Sequence, residues 1–178
     1  MKHFFKLTLV AAVITAGTLV LSSFAEGKKE KNTAIDSYSI QLTSKCLVGT
    51  CEQWTWVLTN PNPGNGNNGT LQDVSHFDIP LTADAEAALV SAEYSFDGIT
   101  WYSVPLSVDR DPTIRACTSV DVLKFDVGTI GTAPTYYRIT FSDDFDASPW
   151  AKCYIKTGGG RTGCNMYYFT GVYTRKLD

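Results

Sequence analysis

From residue 38 onward, apolar and polar residues alternate with a period of two. Tyr38, Ile40 and Leu42 alternate with Ser39 and Gln41, and Trp54, Trp56 and Leu58 share one side of "CEQWTWVLTN". That period marks half-buried strands, and the β-branched and aromatic content suits a pleated surface. The same pattern returns in "DVSHFDIPL", where Phe77, Ile79 and Leu81 form the core side and Val74, His76, Asp78 and Pro80 the other. It recurs with Leu123, Phe125 and Val127 inward, then with Tyr137, Ile139 and Phe141 inward, and further strands are expected over 151–155 and 166–173. One helix pattern is visible, "TADAEAAL" at 82–89, about two turns long with Thr82 as its cap.

Roughly nine strands without crossover helices imply an all-β fold whose sheets are mainly antiparallel. A two-layer β-sandwich, immunoglobulin-like or jelly-roll-like, satisfies the pattern most simply, with a closed barrel as the alternative. "NPNPGNGNNGT", residues 60–70, is a loop that neither strand nor helix can traverse, and Asn68-Gly69-Thr70 is a glycosylation sequon.

"YSFDGITWYSV", residues 94–104, reads as a hairpin turning at Asp97-Gly98. A two-residue turn there sets Phe96 opposite Ile99, Tyr94 opposite Trp101 and Glu93 opposite Tyr102. Ser95, Asp97, Gly98, Thr100 and Trp101 also resemble the Asp-box found on turns of β-propellers and sialidases, with one spacer before the glycine missing. The resemblance covers about seven residues and implies a structural turn, not a catalytic group.

The N-terminus changes the picture of where this domain works. Lys2, His3 and Lys6 precede an apolar run from Leu7 to Leu21, and Ser23 and Ala25 offer small cleavage positions. Residues 1–25 therefore read as an export signal, 26–35 as a polar tether and 36–176 as a single domain. No second apolar span follows, so no integral membrane span is expected after cleavage. The expected location is secreted, periplasmic or at the cell surface. The leader takes Lys2 and Lys6 with it, leaving 13 basic against 18 acidic side chains. That balance argues against a nucleic-acid partner.

The five cysteines all lie beyond the leader. In an exported chain they are expected to form disulfides. Cys153 and Cys164 flank the glycine-rich "KTGGGRTG" and are expected to pair, with Cys117 joining Cys46 or Cys51. The glycine-rich segment lacks the following helix of a phosphate loop, so it reads as a hairpin tip on which Arg161 is a candidate binding residue.

Other candidate chemistry is sparse. His76 is the one histidine outside the leader, and regular strand alternation places it on the face opposite Ser75. Asp143, Asp144 and Asp146 offer three carboxylates on a loop, with calcium as the ion they would take; no other cofactor is expected. Glu52, Asp73, Asp78, Glu86 and Glu93 supply carboxylates for glycoside hydrolysis without a spacing that pairs any two. Four tryptophans and nine tyrosines are many for one domain. Tyr102, Tyr136 and Tyr167 fall opposite the expected core sides and are candidates for ligand contact. The expected function is a non-catalytic binding module for an extracellular glycan or protein. A structural or adhesion-type envelope domain is the alternative, and a carboxylate-dependent hydrolase ranks third.

Overall fold

The computed structural model describes residues 37–158 and 163–173. The expected leader, the expected tether and Arg161 lie outside them. Among the described residues there are ten strands and one short helix, in this order: β1 (Ser39–Val48), β2 (Cys51–Thr59), β3 (Val74–Ile79), α1 (Ala83–Ala87), β4 (Leu89–Ser95), β5 (Tyr102–Ser103), β6 (Val108–Asp109), β7 (Val122–Phe125), β8 (Thr135–Phe141), β9 (Asp146–Thr157) and β10 (Cys164–Tyr173). They form two five-stranded sheets, β1-β2-β8-β4-β5 and β10-β9-β3-β7-β6. Neighbouring strands pair antiparallel throughout. The fold is a β-sandwich, the simpler of the two architectures that the period-two pattern allows.

Between the sheets lie Trp54, Trp56 and Leu58 of β2, Phe77 and Ile79 of β3, Leu123 and Phe125 of β7, and Tyr137, Ile139 and Phe141 of β8. These are the inward sets the alternation marked. Buried rings with polar handles need partners. Trp54 Nε1 donates to Glu52 Oε2 at 2.7 Å, Trp56 Nε1 to the Thr170 carbonyl at 2.7 Å, and Tyr137 Oη to the Val127 carbonyl at 2.7 Å. Thr82 caps α1 by accepting from the Ala85 amide.

Three sequence expectations are corrected. The hairpin pairs Tyr94 with Tyr102 and Glu93 with Ser103, one residue away from the expected register. The turn is longer than two residues. Ser95 Oγ accepts from the Gly98 amide, and Asp97 Oδ1 accepts from the Ile99 and Thr100 amides. Gly98 takes φ +72°, while Asp97 does not leave negative φ. A one-residue slip reverses faces, so Tyr102 stacks on Tyr94 with centroids 5.3 Å apart. Trp101 is instead covered by the Arg138 guanidinium, which lies 3.8 Å from the ring centroid.

The second correction concerns the cysteines. The disulfide joins Cys117 to Cys164 with Cα atoms 6.1 Å apart. Cys153 does not pair with Cys164, and neither Cys46 nor Cys51 reaches Cys117; all three thiols are free. In the β9–β10 hairpin Cys153 lies opposite Tyr167 and Cys164 opposite Lys156. Alternation then turns Cys153 into the sandwich with Ile155, while Cys164 packs on the outer face with Tyr154, Val122 and Ile114. Two side chains on opposite faces of a sheet cannot bond. Tyr167, opposite Cys153, is likewise drawn toward the core, edge-on to Tyr38 at 6.0 Å, and is not the outward ring expected.

The third correction is at β3. Its pairing with β9 slips between Val74 and His76. This irregularity returns Val74 to the core beside Phe77 and Ile79. It also lets Ser75 Oγ and His76 Nδ1 approach to 3.2 Å, a contact that regular alternation forbids.

Candidate functional site

The outer face of the second sheet is not left to water. His76 and Asp78 project there from β3, and Lys124 and Lys156 sit opposite Asp78 and His76 on β7 and β9. Residues 110–121 return across this face. Their turn is held by amide bonds from Ile114 to the Asp111 carbonyl and from Cys117 to the Ile114 carbonyl. Ile114 is fully buried against Val122 and Tyr154, and the Cys117–Cys164 bond ties the segment to β10. The consequence is a polar cluster under cover: His76 is 4% exposed, Asp78 0% and Asp111 8%.

His76 Nε2 is crowded by oxygens. Thr113 Oγ1 lies at 3.0 Å, Asp111 Oδ2 at 3.0 Å and Asp78 Oδ2 at 3.3 Å. One ring nitrogen carries one lone pair or one proton, so it can serve one of the three. Thr113 also donates its hydroxyl and its amide to Asp111 Oδ1, each at 2.7 Å. Lys124 Nζ bridges Asp111 Oδ2 and Asp126 Oδ1 at 3.3 Å each. Asp111 Oδ2 is held by these ion pairs, and both oxygens of Asp78 lack any hydrogen-bond partner. Lys156 Nζ donates to the Thr157 carbonyl at 3.0 Å.

The electrostatics follow from this burial. Desolvation, reinforced by Lys124, pushes His76 down to about 4 against the opposing pull of Asp111, so its imidazole is neutral. Desolvation and the adjacent Asp111 carboxylate push Asp78 up to about 8. Burial acts on Asp111 in the same direction, but the Thr113 hydrogen bonds, Lys124 and His76 outweigh it and hold that carboxyl below its usual range. Two neighbouring carboxyls are thus split in basicity, as like charges in one dry site must be.

A second feature adjoins the first. A groove of about 290 Å³ runs beside the β5–β6 connection, lined by Tyr94, Ser103, Val104, Pro105, Ser107, Lys124, Asp126 and Val127. Tyr102 stacks on Tyr94, and Phe96 meets Tyr94 edge-on at 5.5 Å. Tyr102 is 49% exposed. A smaller pocket of about 170 Å³ shares Ser107 and Lys124 with the groove and reaches Asp111.

The other expected residues fall elsewhere. Tyr136 lies on the outer face of the first sheet, half-buried beneath the turn at Gly98. Asp143, Asp144 and Asp146 are exposed, and they are not in the single group of three donor side chains found among the described residues, which is His76, Asp78 and Asp111. The carboxylates considered for hydrolysis are held apart in different contacts. Glu52 binds Lys45 and Trp54, Glu93 binds Arg138, and Asp73 accepts from the Gly131 amide. Asp78 shares its site with Asp111 under cover, with donor atoms of the group within 4.8 Å of one another. That is closer than the separation of roughly 5–9 Å used across a glycosidase cleft.

Sequence reasoning missed Asp111 and Thr113 as partners of His76, and Lys124 as a partner of Asp111, because they are distant from His76 in the chain. It also missed Trp150 and Tyr168, exposed neighbours on the β9–β10 hairpin with centroids 6.1 Å apart. No protein-family model matches the chain, and neither do the curated proteins or the solved structures.

Proposed function

We propose that this chain is an exported, non-catalytic carbohydrate-binding module whose ligand seat is the groove beside Tyr94. The observation that carries the reading is the Tyr94–Tyr102 stack at the edge of a groove that also presents Lys124, Asp126, Ser103 and Ser107. An exposed ring offers the apolar face on which a sugar ring stacks, and flanking charged and hydroxyl groups bond its hydroxyls. The leader pattern and the Cys117–Cys164 disulfide fit an oxidising compartment outside the cytoplasm. N-terminal sequencing of the exported protein should begin at Glu26.

A glycan array followed by calorimetry tests the ligand class. Binding of the selected glycan should weaken by about tenfold or more in Tyr102→Ala, with the unfolding midpoint little changed. Unaltered affinity in that variant, or no binding across the array, removes the reading. The adhesion-type alternative rests on a different surface: Trp150, Tyr168 and Met166 are 74%, 55% and 42% exposed, and β10 is the outermost strand of its sheet. Capture of a protein partner that is lost in Trp150→Ala would favour it.

A further inference from the structure

We propose that His76, Asp78 and Asp111 form a binding site for one divalent first-row transition ion of the zinc class. The argument starts from Asp78. Its side chain is fully buried, and neither oxygen receives a hydrogen bond. Buried polar groups are almost always satisfied, and an orphaned carboxyl calls for a partner. The partner cannot be His76 alone, since Asp78 Oδ2, Asp111 Oδ2 and Thr113 Oγ1 all converge on Nε2. One cation placed among the three side chains satisfies all of them.

The geometry suits such an ion. The Nε2–oxygen separations of 3.0 and 3.3 Å match the distances between neighbouring ligands, about 3.0–3.4 Å, around an ion with bonds of about 2.0–2.1 Å. The donor set is one imidazole and two carboxylates, which zinc, iron or manganese accept. Calcium prefers six to eight oxygens, and this site does not offer them. The second nitrogen of the ring has an outer contact, Ser75 Oγ, which fixes its orientation. Lys124 rests on Asp111, one of the proposed ligands. When Asp111 turns to the ion, Lys124 keeps Asp126. The pocket of about 170 Å³ brings solvent as far as Asp111 and Lys124.

The site is independent of the carbohydrate reading, and either can fail alone. The test uses the mature chain with its disulfide intact, stripped with a chelator and with the accessible thiols of Cys46 and Cys51 alkylated. Cobalt(II) is then titrated in. One equivalent should bind, giving visible d–d bands without a thiolate charge-transfer band, and zinc should displace it while calcium and magnesium do not. Asp78→Asn should weaken binding by at least about tenfold, since even an outer-shell change costs that much, and Asp143→Asn should not change it. Wild-type protein gives a second readout that needs no variant to fold. His76 is the one histidine outside the leader, so its imidazole proton resonances should shift or broaden as cobalt fills the site. Unmoved His76 resonances, a thiolate band, or affinity unaltered in a folded Asp78→Asn protein would each overturn the proposal.

Discussion

Two aspartates in this sandwich experience opposite surroundings. Asp97, in the β4–β5 turn, accepts the Ile99 and Thr100 amides at 2.8 and 2.7 Å and the Ser95 and Thr100 hydroxyls at 2.9 and 3.1 Å. Those bonds, the Thr100 amide foremost, hold its carboxyl down at about 2. Asp78, under the 110–121 segment, accepts none and is pushed up to about 8 by burial. The difference is one of assembly. Residues 95–100 alone build the donors around Asp97, so the turn completes itself as it forms. The walls around Asp78 come from β3, β7, β9 and a distant loop, and they exclude water without supplying donors. A site of the first kind is finished structure; one of the second kind is chemically unsatisfied, which is where a ligand gains most.

The sharpest way to break the contrast is to release the cover. Cys117 and Cys164 are 47 positions apart, and a closed loop of that length restricts the unfolded chain by about 4 kcal/mol in the entropic account. The Cys117→Ser, Cys164→Ser double variant should lose stability of that order in denaturant unfolding. The Asp97 turn, on the other sheet, should keep its structure by amide exchange. A midpoint equal to wild type would mean that Ile114 and Tyr154 hold the cover without the bond.

The turn can be broken separately. Gly98 sits at φ +72° with open space around its would-be Cβ apart from the Tyr136 ring at 3.5 Å. Steric room is therefore not the obstacle; backbone conformation is. Gly98→Val should cost about 1–2 kcal/mol, because a β-branched residue is strained in the left-handed region. Denaturant midpoints measure this, and an unchanged midpoint would mean that the turn does not need a left-handed residue at this position.

These two regions also show what the sequence could reveal. Tyr137, Ile139 and Phe141, or Trp54, Trp56 and Leu58, are legible because period two is a local property and burial follows it. Gly98 is legible as a turn glycine for the same reason. The register of its hairpin is not, since the Asp97 hydrogen bonds absorb a residue that a tighter turn would leave in the strand, and the slip moves Tyr102 to the Tyr94 side. Cys153 and Cys164 mislead because the position of the tip sets which face each one takes. His76 and Asp78 do lie on the outer face that alternation assigns them. Nothing in "DVSHFDIPL" says that residues 110–121 come back to bury that face, and this return creates the candidate site.

A milder substitution sharpens the comparison. Asp78→Asn keeps the shape and removes an oxygen that accepts nothing. Its new amide lies in the same cluster as Asp111 Oδ2, which also lacks a hydrogen bond. Without added metal, stability at neutral pH should stay within about 1 kcal/mol of wild type, the scale of one net hydrogen bond. A severe loss in thermal or denaturant unfolding would show that Asp78 already has a partner, as Asp97 does.

The smallest effect belongs to Asp97, whose exposed carboxylate is screened by solvent. Its sign is nonetheless definite. The folded carboxyl titrates at about 2, below the ordinary 3.8. Folding therefore favours the ionised form, and the stabilisation is complete above the ordinary value and fades as pH falls from about 4 toward 2. Asp97→Asn has no proton to take up there. The stability difference between wild type and Asp97→Asn should be constant from about pH 5 to 7 and should narrow on acidification through that window. Urea midpoints measured for both proteins at intervals of pH give the difference directly, with all other carboxylates common to the pair. A gap that stays constant down to about pH 2 would mean the amides of Ile99 and Thr100 do not stabilise the charge, and that the turn is held by its backbone conformation alone.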